Sequence, residues 1–145
     1  DSESRCRQLT DEKQLLAHTL RCLEEEEQRR RLMKQRFSAS DVCLLFRKKE
    51  TTAASVTEDD WQQLETEADQ LLDGFLRKLT TGPVRVSRQE LRVSLLIRAD
   101  FSIKSIAAFL HLTPTAVTSI RRRLSVKFSL PESSPQAWDE FVRSL

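Results

Sequence analysis

Two glycines, four prolines and no tyrosine in 145 residues leave few of the tight turns and aromatic strand positions on which a sheet protein depends. Leu, Glu, Gln and Arg abound instead, so an all-α fold is expected. Cysteine is equally sparse: Cys6, Cys22 and Cys43 are widely spaced and form no CxxC pair, which excludes a disulfide framework and fits a reducing cytosol. His18 and His111 are the only histidines, and no usual zinc spacing joins them to those cysteines, so neither a metal nor any other cofactor is expected. A glycine-rich phosphate loop, an HExxH motif and the residues for a catalytic triad are also missing, which argues against an enzyme. No small-molecule ligand is evident. No apolar run approaches the roughly 20 residues that span a bilayer, and no signal-peptide pattern occurs, so a cytoplasmic location is expected.

What the chain has in quantity is charge, 32% of residues against 39% apolar, enough for one modest core and an exposed helical extension. The net charge of +2 conceals segregation. Residues 51–76 hold seven acids and no Lys or Arg, whereas residues 85–128 hold nine basic residues against Glu90 and Asp100, a balance of 9 − 2 = +7. A basic segment of this kind is the electrostatic footprint of a nucleic-acid binder, and it equally suits packing against an acidic segment.

Residues 1–50 are expected to form a helical arm. Within a long helix over 5–37, Leu9, Leu16 and Leu23 recur every seven residues with Leu20 on the adjoining position, the pattern of a coiled-coil dimerisation seam or of an amphipathic helix packing on its own domain. Lys13 interrupts the seam, and Glu27 and Arg30 end it. Ser38 and Asp41 can cap a short helix carrying Val42, Leu45 and Phe46, and residues 47–56 then read as a polar connector and the domain boundary. Residues 57–145 form the second domain, opened by an acidic helix over 57–79 with Trp61, Leu64, Ala68, Leu71, Leu72, Phe75 and Leu79 on its inner face. Gly82-Pro83 ends that helix. Ser87 and Glu90 make a capping box for an apolar helix from Leu91 to Ala99, and Ser134-Pro135 starts a last helix with Trp138, Phe141, Val142 and Leu145 on one face. That face closes the chain's own core or meets a partner.

The stretch 102–128 concentrates the signals. Ser102 caps one helix, Leu110-His111-Leu112 is long enough only for a tight turn, and Thr113-Pro114 restarts the chain with a hydroxyl cap and a proline at the first helical position. This spacing predicts a helix-turn-helix without a wing, with Ile106, Leu110, Leu112, Val117 and Ile120 as its inner seam. At 100° per residue, Val117, Ile120, Leu124 and Phe128 gather on one side of the second helix, and Thr115, Thr118, Ser119 and Arg122 lie opposite, flanked by Arg121 and Arg123. Short hydroxyls allow close approach to a major groove, an arginine can pair bidentately with guanine, and neighbouring cations can hold phosphates.

These residues carry a resemblance. Residues 86–128 resemble the DNA-binding domain of the LuxR (GerE-like) transcriptional regulators: Val86-Ser87-Arg88-Gln89-Glu90 is similar to the family's Leu-Thr-x-x-Glu opening, and Asp100 to Ala107 to its Gly-x-Ser-x-Lys-Glu-Ile-Ala. Thr113-Pro114-Thr115-Ala116-Val117 is similar to its Ser-Pro-x-Thr-Val, and Arg121 to Leu124 with Lys127 to its basic helix end. Asp100, Ala116 and Ile120 stand where glycine, threonine and histidine are usual. The resemblance implies a four-helix domain that binds double-stranded DNA as a sequence-specific transcriptional regulator, through a recognition helix at about 114–128, and acts as a homodimer. Thr118, Ser119 and Arg122 are the expected base readers; Lys104, Thr115, Arg121, Arg123 and Lys127 are expected on the DNA backbone. Trp61, Phe75-Leu76, Ser119 to Leu124 and Trp138-Asp139-Glu140-Phe141 are similar to Bacteroidetes regulators that join a sensor region, often of tetratricopeptide repeats, a membrane helix and a coiled coil to such a domain, so this chain would be the cytoplasmic part of a membrane-anchored protein. The rival reading is a protein-interaction module whose arm and last helix bind a partner over a scaffold that does not touch DNA. In a third, the acidic helix covers the basic surface and silences it.

Overall fold

The computed structural model describes residues 1–145 as eight helices and no strand, in two units, Asp1–Met33 and Lys34–Leu145. No helix is long and apolar enough to cross a membrane. Helix α1, Ser2–Ser38, holds all of the first unit but Asp1 and continues past Met33. Its 37 residues rise about 55 Å at 1.5 Å each. Leu9, Leu16, Leu20 and Leu23 are exposed, and beyond them Glu27 pairs with Arg31, one helical turn on, at 2.7 Å.

Near the start of the second unit, Phe37 buries its ring at the end of α1. Ser40 turns the chain by bonding the Phe37 carbonyl through its hydroxyl and caps α2, Asp41–Thr52, by accepting from the Cys43 amide. The expected connector at 47–56 is therefore corrected. Helix α2 runs through most of it, Arg47 donates to the Ala99 carbonyl at 3.0 Å with its guanidinium over the Phe101 ring, and Lys49 pairs with Asp60. These side chains fix 47–52 to the second unit, so the division falls after Met33 and the 1–50 arm is split.

Helix α3, Glu58–Leu71, starts at a capping box in which Thr57 and Asp60 satisfy each other's amides. The single acidic helix expected over 57–79 breaks at Leu72 to Gly74, because Gly74 sits at φ 70 where a side chain is strained, and resumes as α4, Phe75–Thr80. Leu72, Phe75 and Leu79 stay buried across the break. Helices α5 (Arg88–Arg98), α6 (Ile103–Leu110), α7 (Pro114–Lys127) and α8 (Pro135–Ser144) complete the unit. One aromatic cluster, Phe46 with Trp61, Phe101 and Phe109 edge-on at 5.2 to 6.4 Å, ties α2 to α3 and α6. Another, Phe128, Trp138 and Phe141, joins the end of α7 to α8. Trp138 and Val142 are fully buried and the indole donates to Ser94 Oγ on α5 at 3.1 Å, so α8 spends its apolar face on this core.

Candidate nucleic-acid interface

Helices α6 and α7 are joined by three residues whose geometry follows from local chemistry. Ser102 accepts from the Ser105 amide at the start of α6. His111 ends that helix in the left-handed region, φ 57, while the Leu112 amide donates back to the Ala107 carbonyl at 2.8 Å, a C-terminal closure that frees the chain to turn. Thr113 Oγ1 then accepts from the Ala116 amide and Pro114 occupies the first position of α7. Ile106, Val117 and Ile120 are buried, as expected of the seam, with Ala107 and Leu124 buried beside them, whereas Leu110 and Leu112 are only partly buried. Asp100, which stands where the resemblance has glycine, lies at φ 64, held by Lys34 at 3.7 Å and Arg143 at 3.6 Å.

The outer face of α7 is open. Thr115, Ser119, Arg122 and Arg123 are exposed and Thr118 is half-buried, with Lys104 exposed on α6. The acidic helix α3 packs on α2, α4 and α5, with Glu58 paired to Arg92 at 2.8 Å, and leaves these residues uncovered.

Arg121 is the clear correction. Expected on the DNA backbone, it is buried, its Nε 2.9 Å from Asp139 Oδ1 and its Nη2 on Asp139 Oδ2, a planar two-bond match between α7 and α8. Its remaining nitrogen reaches Thr118 Oγ1 at 3.5 Å. The reason is angular: Arg121 stands one turn beyond Val117, only about 40° round the helix, and so shares the inner face. Lys127 is also engaged, donating to the Arg85 carbonyl and to Glu90 Oε1, each at 2.8 Å. Arg123 keeps more than half of its side chain exposed and leans toward Glu90 Oε2 at 3.5 Å. Arg98 is buried and Arg92 is largely covered, so the excess charge of residues 85–128 overstates what reaches the surface. Its exposed cations are Arg85, Arg88, Lys104, Arg122 and Arg123, with Lys127 partly so.

No protein-family model, curated protein or solved structure matches this chain.

Glu90 lies behind α7 and was visible in the sequence only as a capping residue. Its carboxylate is almost fully buried; burial pushes its pKa up, but the bonds from Lys127 and from the Ser87 amide outweigh this and hold it below the usual carboxylate range. One side chain thus caps α5 and anchors the C-terminal half of α7. Asp139 and Val126 were also missed. Val126, 59% exposed, lies about 180° from Val117, on the same face as Arg122 and Ser119. The helical wheel contained that signal. Nothing local in the sequence announced Asp139, whose partner lies 18 residues away. Ser125, buried on the inner side, donates to the Ser134 carbonyl at 2.7 Å and fixes the connection into α8.

The arrangement offers a rigid presenting helix. Its inner side is locked by apolar packing and by Arg121, Ser125 and Lys127, while its outer side carries two small hydroxyl residues, two cations and one apolar patch with room to approach another molecule.

Proposed function

We propose that this protein is a sequence-specific, duplex-DNA-binding transcriptional regulator in which α6, the turn at His111 and α7 act as a helix-turn-helix. The observation that carries this reading is the exposed outer face of α7, where Thr115, Ser119 and Arg122 project from a helix fixed from behind. Helix α7 lies in the major groove. Arg122 pairs with a guanine edge, Ser119 and Thr118 approach neighbouring bases, and Val126 is suited to a thymine methyl. Arg123, Lys104 and Thr115 meet the phosphate backbone, while Arg121 and Lys127 orient the helix from within the protein. The resemblance of residues 86–128 to LuxR (GerE-like) domains supports the same reading, and the looser resemblance of the whole chain makes it the cytoplasmic part of a membrane-anchored regulator. No reaction and no cofactor belong to it.

A salt titration on random duplex is the first test, because neutralising phosphates releases counterions and the affinity must fall steeply with salt. Selection of bound sequences from a random duplex library then yields the operator. Absence of binding at every salt concentration, with the protein folded, refutes the proposal and favours the alternative, a protein-contact module in which α6 and α7 are scaffold. The exposed leucines of α1 are the feature that favours that alternative.

A further inference from the structure

We propose that the groove between the end of α2 and α6 binds a small amphipathic monoanion, a carboxylate on an aromatic or acyl body, and that Lys104 holds the carboxylate. The groove holds about 410 Å3, within the roughly 300–1,000 Å3 of small-molecule sites. It lies wholly inside the Lys34–Leu145 unit. One wall is the chain that leaves α2. Ala53 turns at φ 55, the Ala53 and Ala54 amides both return to the Lys49 carbonyl, and the Lys49 ammonium reaches forward to the Ser55 carbonyl at 3.0 Å and to Asp60. This wall is fixed before any ligand arrives. The other wall is one face of α6, where Lys104, Ser105, Ala108 and Phe109 recur at helical spacing. Phe109 stands edge-on to Phe46 at 5.3 Å and to Phe101 at 5.6 Å, which gives the groove a stiff apolar surface.

The polar groups around that surface select the ligand's charge. Lys49 is already matched by Asp60, whereas the side chains of Lys104 and His111 form no hydrogen bond or ion pair within the protein. Ser105 Oγ accepts from Ser102 Oγ at 3.0 Å and keeps its own hydrogen to donate. Three donors carried by α6 and its cap therefore border the apolar surface, against one unpaired carboxylate on the facing wall, Glu50. An anion is favoured over a cation. Glu50 also sets a limit, because it repels a second negative charge: a carboxylate fits better than a phosphate monoester, which is mostly dianionic near neutral pH. Alanine at positions 53, 54 and 108 leaves space for the ligand's apolar body that longer side chains would fill. The site deepens the function proposed above and rests on it in one respect. Lys104 is also the residue assigned to a DNA phosphate, so carboxylate and duplex compete for it and each weakens the binding of the other.

The probe is 1-naphthoate, titrated into the full chain without DNA and followed through amide chemical shifts. Saturable shifts centred on Ala53, Ala54, Ser105, Ala108 and His111 are expected, with a Kd of about 1 mM or below. The neutral 1-naphthalenemethanol and the dianionic 1-naphthyl phosphate should each bind about fivefold more weakly, and Lys104→Gln should weaken 1-naphthoate by a similar factor. Ala108→Leu keeps a good helix former, fills the groove and should abolish the shifts. An unaltered thermal transition in both variants confirms that they are folded. Saturating 1-naphthoate should also lower the affinity of the unsubstituted protein for random duplex about fivefold and leave that of Lys104→Gln unchanged. Absence of saturable shifts up to the solubility limit of the probe, or shifts centred elsewhere, overturns the site. Undiminished binding of 1-naphthoate by Lys104→Gln, or equal binding of 1-naphthyl phosphate, overturns the charge assigned to its ligand. The shifts need no DNA, so a protein that takes 1-naphthoate and binds no duplex refutes the function proposed for α7 and supports the site. Duplex affinity unmoved by bound 1-naphthoate overturns the competition for Lys104.

Discussion

Removing the Asp139 carboxylate leaves the Arg121 guanidinium buried beside α8 without a counter-charge. The two side chains are only 7% and 13% exposed, and their two-bond geometry leaves one carboxylate to satisfy most of the guanidinium. Breaking such a pair from one side costs about 3 to 5 kcal/mol, the lower end applying where the long arginine can swing partly into water. The Lys34–Leu145 unit should unfold with an entropy near 0.2 kcal/mol/K, from about 2.1 cal/mol/K for each residue, so a loss of about 3 kcal/mol lowers its Tm by roughly 13 °C. Thermal denaturation followed by circular dichroism should therefore show drops of that size for Asp139→Ala and for Arg121→Ala. Arg121→Met combined with Asp139→Leu, which removes both charges and fills the space, should recover most of the loss. With Arg121→Met and Asp139→Leu also measured singly, the resulting cycle should give a coupling of at least about 1 kcal/mol. If Arg121 instead faced solvent and phosphate, Asp139→Ala would move Tm by no more than about 2 °C and Arg121→Ala would weaken DNA binding without changing stability. That pair of results refutes the structural role assigned to Arg121.

Arg122 is expected to behave in the opposite way: Arg122→Ala should leave Tm unchanged, weaken a selected operator by about 1 to 3 kcal/mol and affect random duplex much less, as paired titrations would reveal. Arg123→Ala should weaken both kinds of duplex alike and reduce the salt slope by about one unit. Glu90 has a folded pKa below its unfolded value, so its contribution is present above the unfolded value and is lost as pH falls through the folded one. Tm measured between pH 7 and pH 3 should decline on the acid side, and Glu90→Gln should be less stable than the unsubstituted protein at pH 7 with the two curves converging in acid. Burial pushes the Cys43 thiol up despite the bond to Ser40, so a thiol reagent should titrate Cys6 and Cys22 at once in the native protein and reach Cys43 only on unfolding.

Most of the helix caps were legible in the sequence, although α2 is capped by Ser40 rather than by the expected Ser38 with Asp41. The caps at Ser102, at Thr113-Pro114, at Ser87 with Glu90 and at Ser134-Pro135 each act within three residues, and each appears in the structure with the expected hydroxyl-to-amide bond. Periodicity alone placed Ile106, Val117 and Ile120 on the inner seam of α6 and α7, where they are buried. What could not be read depended on partners distant in the chain. Residues 47–56 looked like a linker because they are polar, yet Arg47 and Lys49 find Ala99 and Asp60 only after the helices have docked. Gly74 breaks a pattern that its neighbours continue, since Leu72, Phe75 and Leu79 satisfy the same inner face on either side of the turn. Arg121 was assigned outward by its charge, although its angle already placed it inward; a buried carboxylate 18 residues later decides between the two.

The side chains of Thr115, Ser119 and Arg122 make no bond to the rest of the protein, and every group that secures α7 lies on its other side. Substitution at those three positions should change stability by no more than about 0.5 kcal/mol. The surface that meets the outside world can thus drift through many residue combinations while the fold remains intact, and descendants of this chain could acquire new targets one exposed residue at a time. The same freedom does not extend to Arg121, Ser125 or Glu90, where a single change would be felt both in α7 and in the element bonded to it.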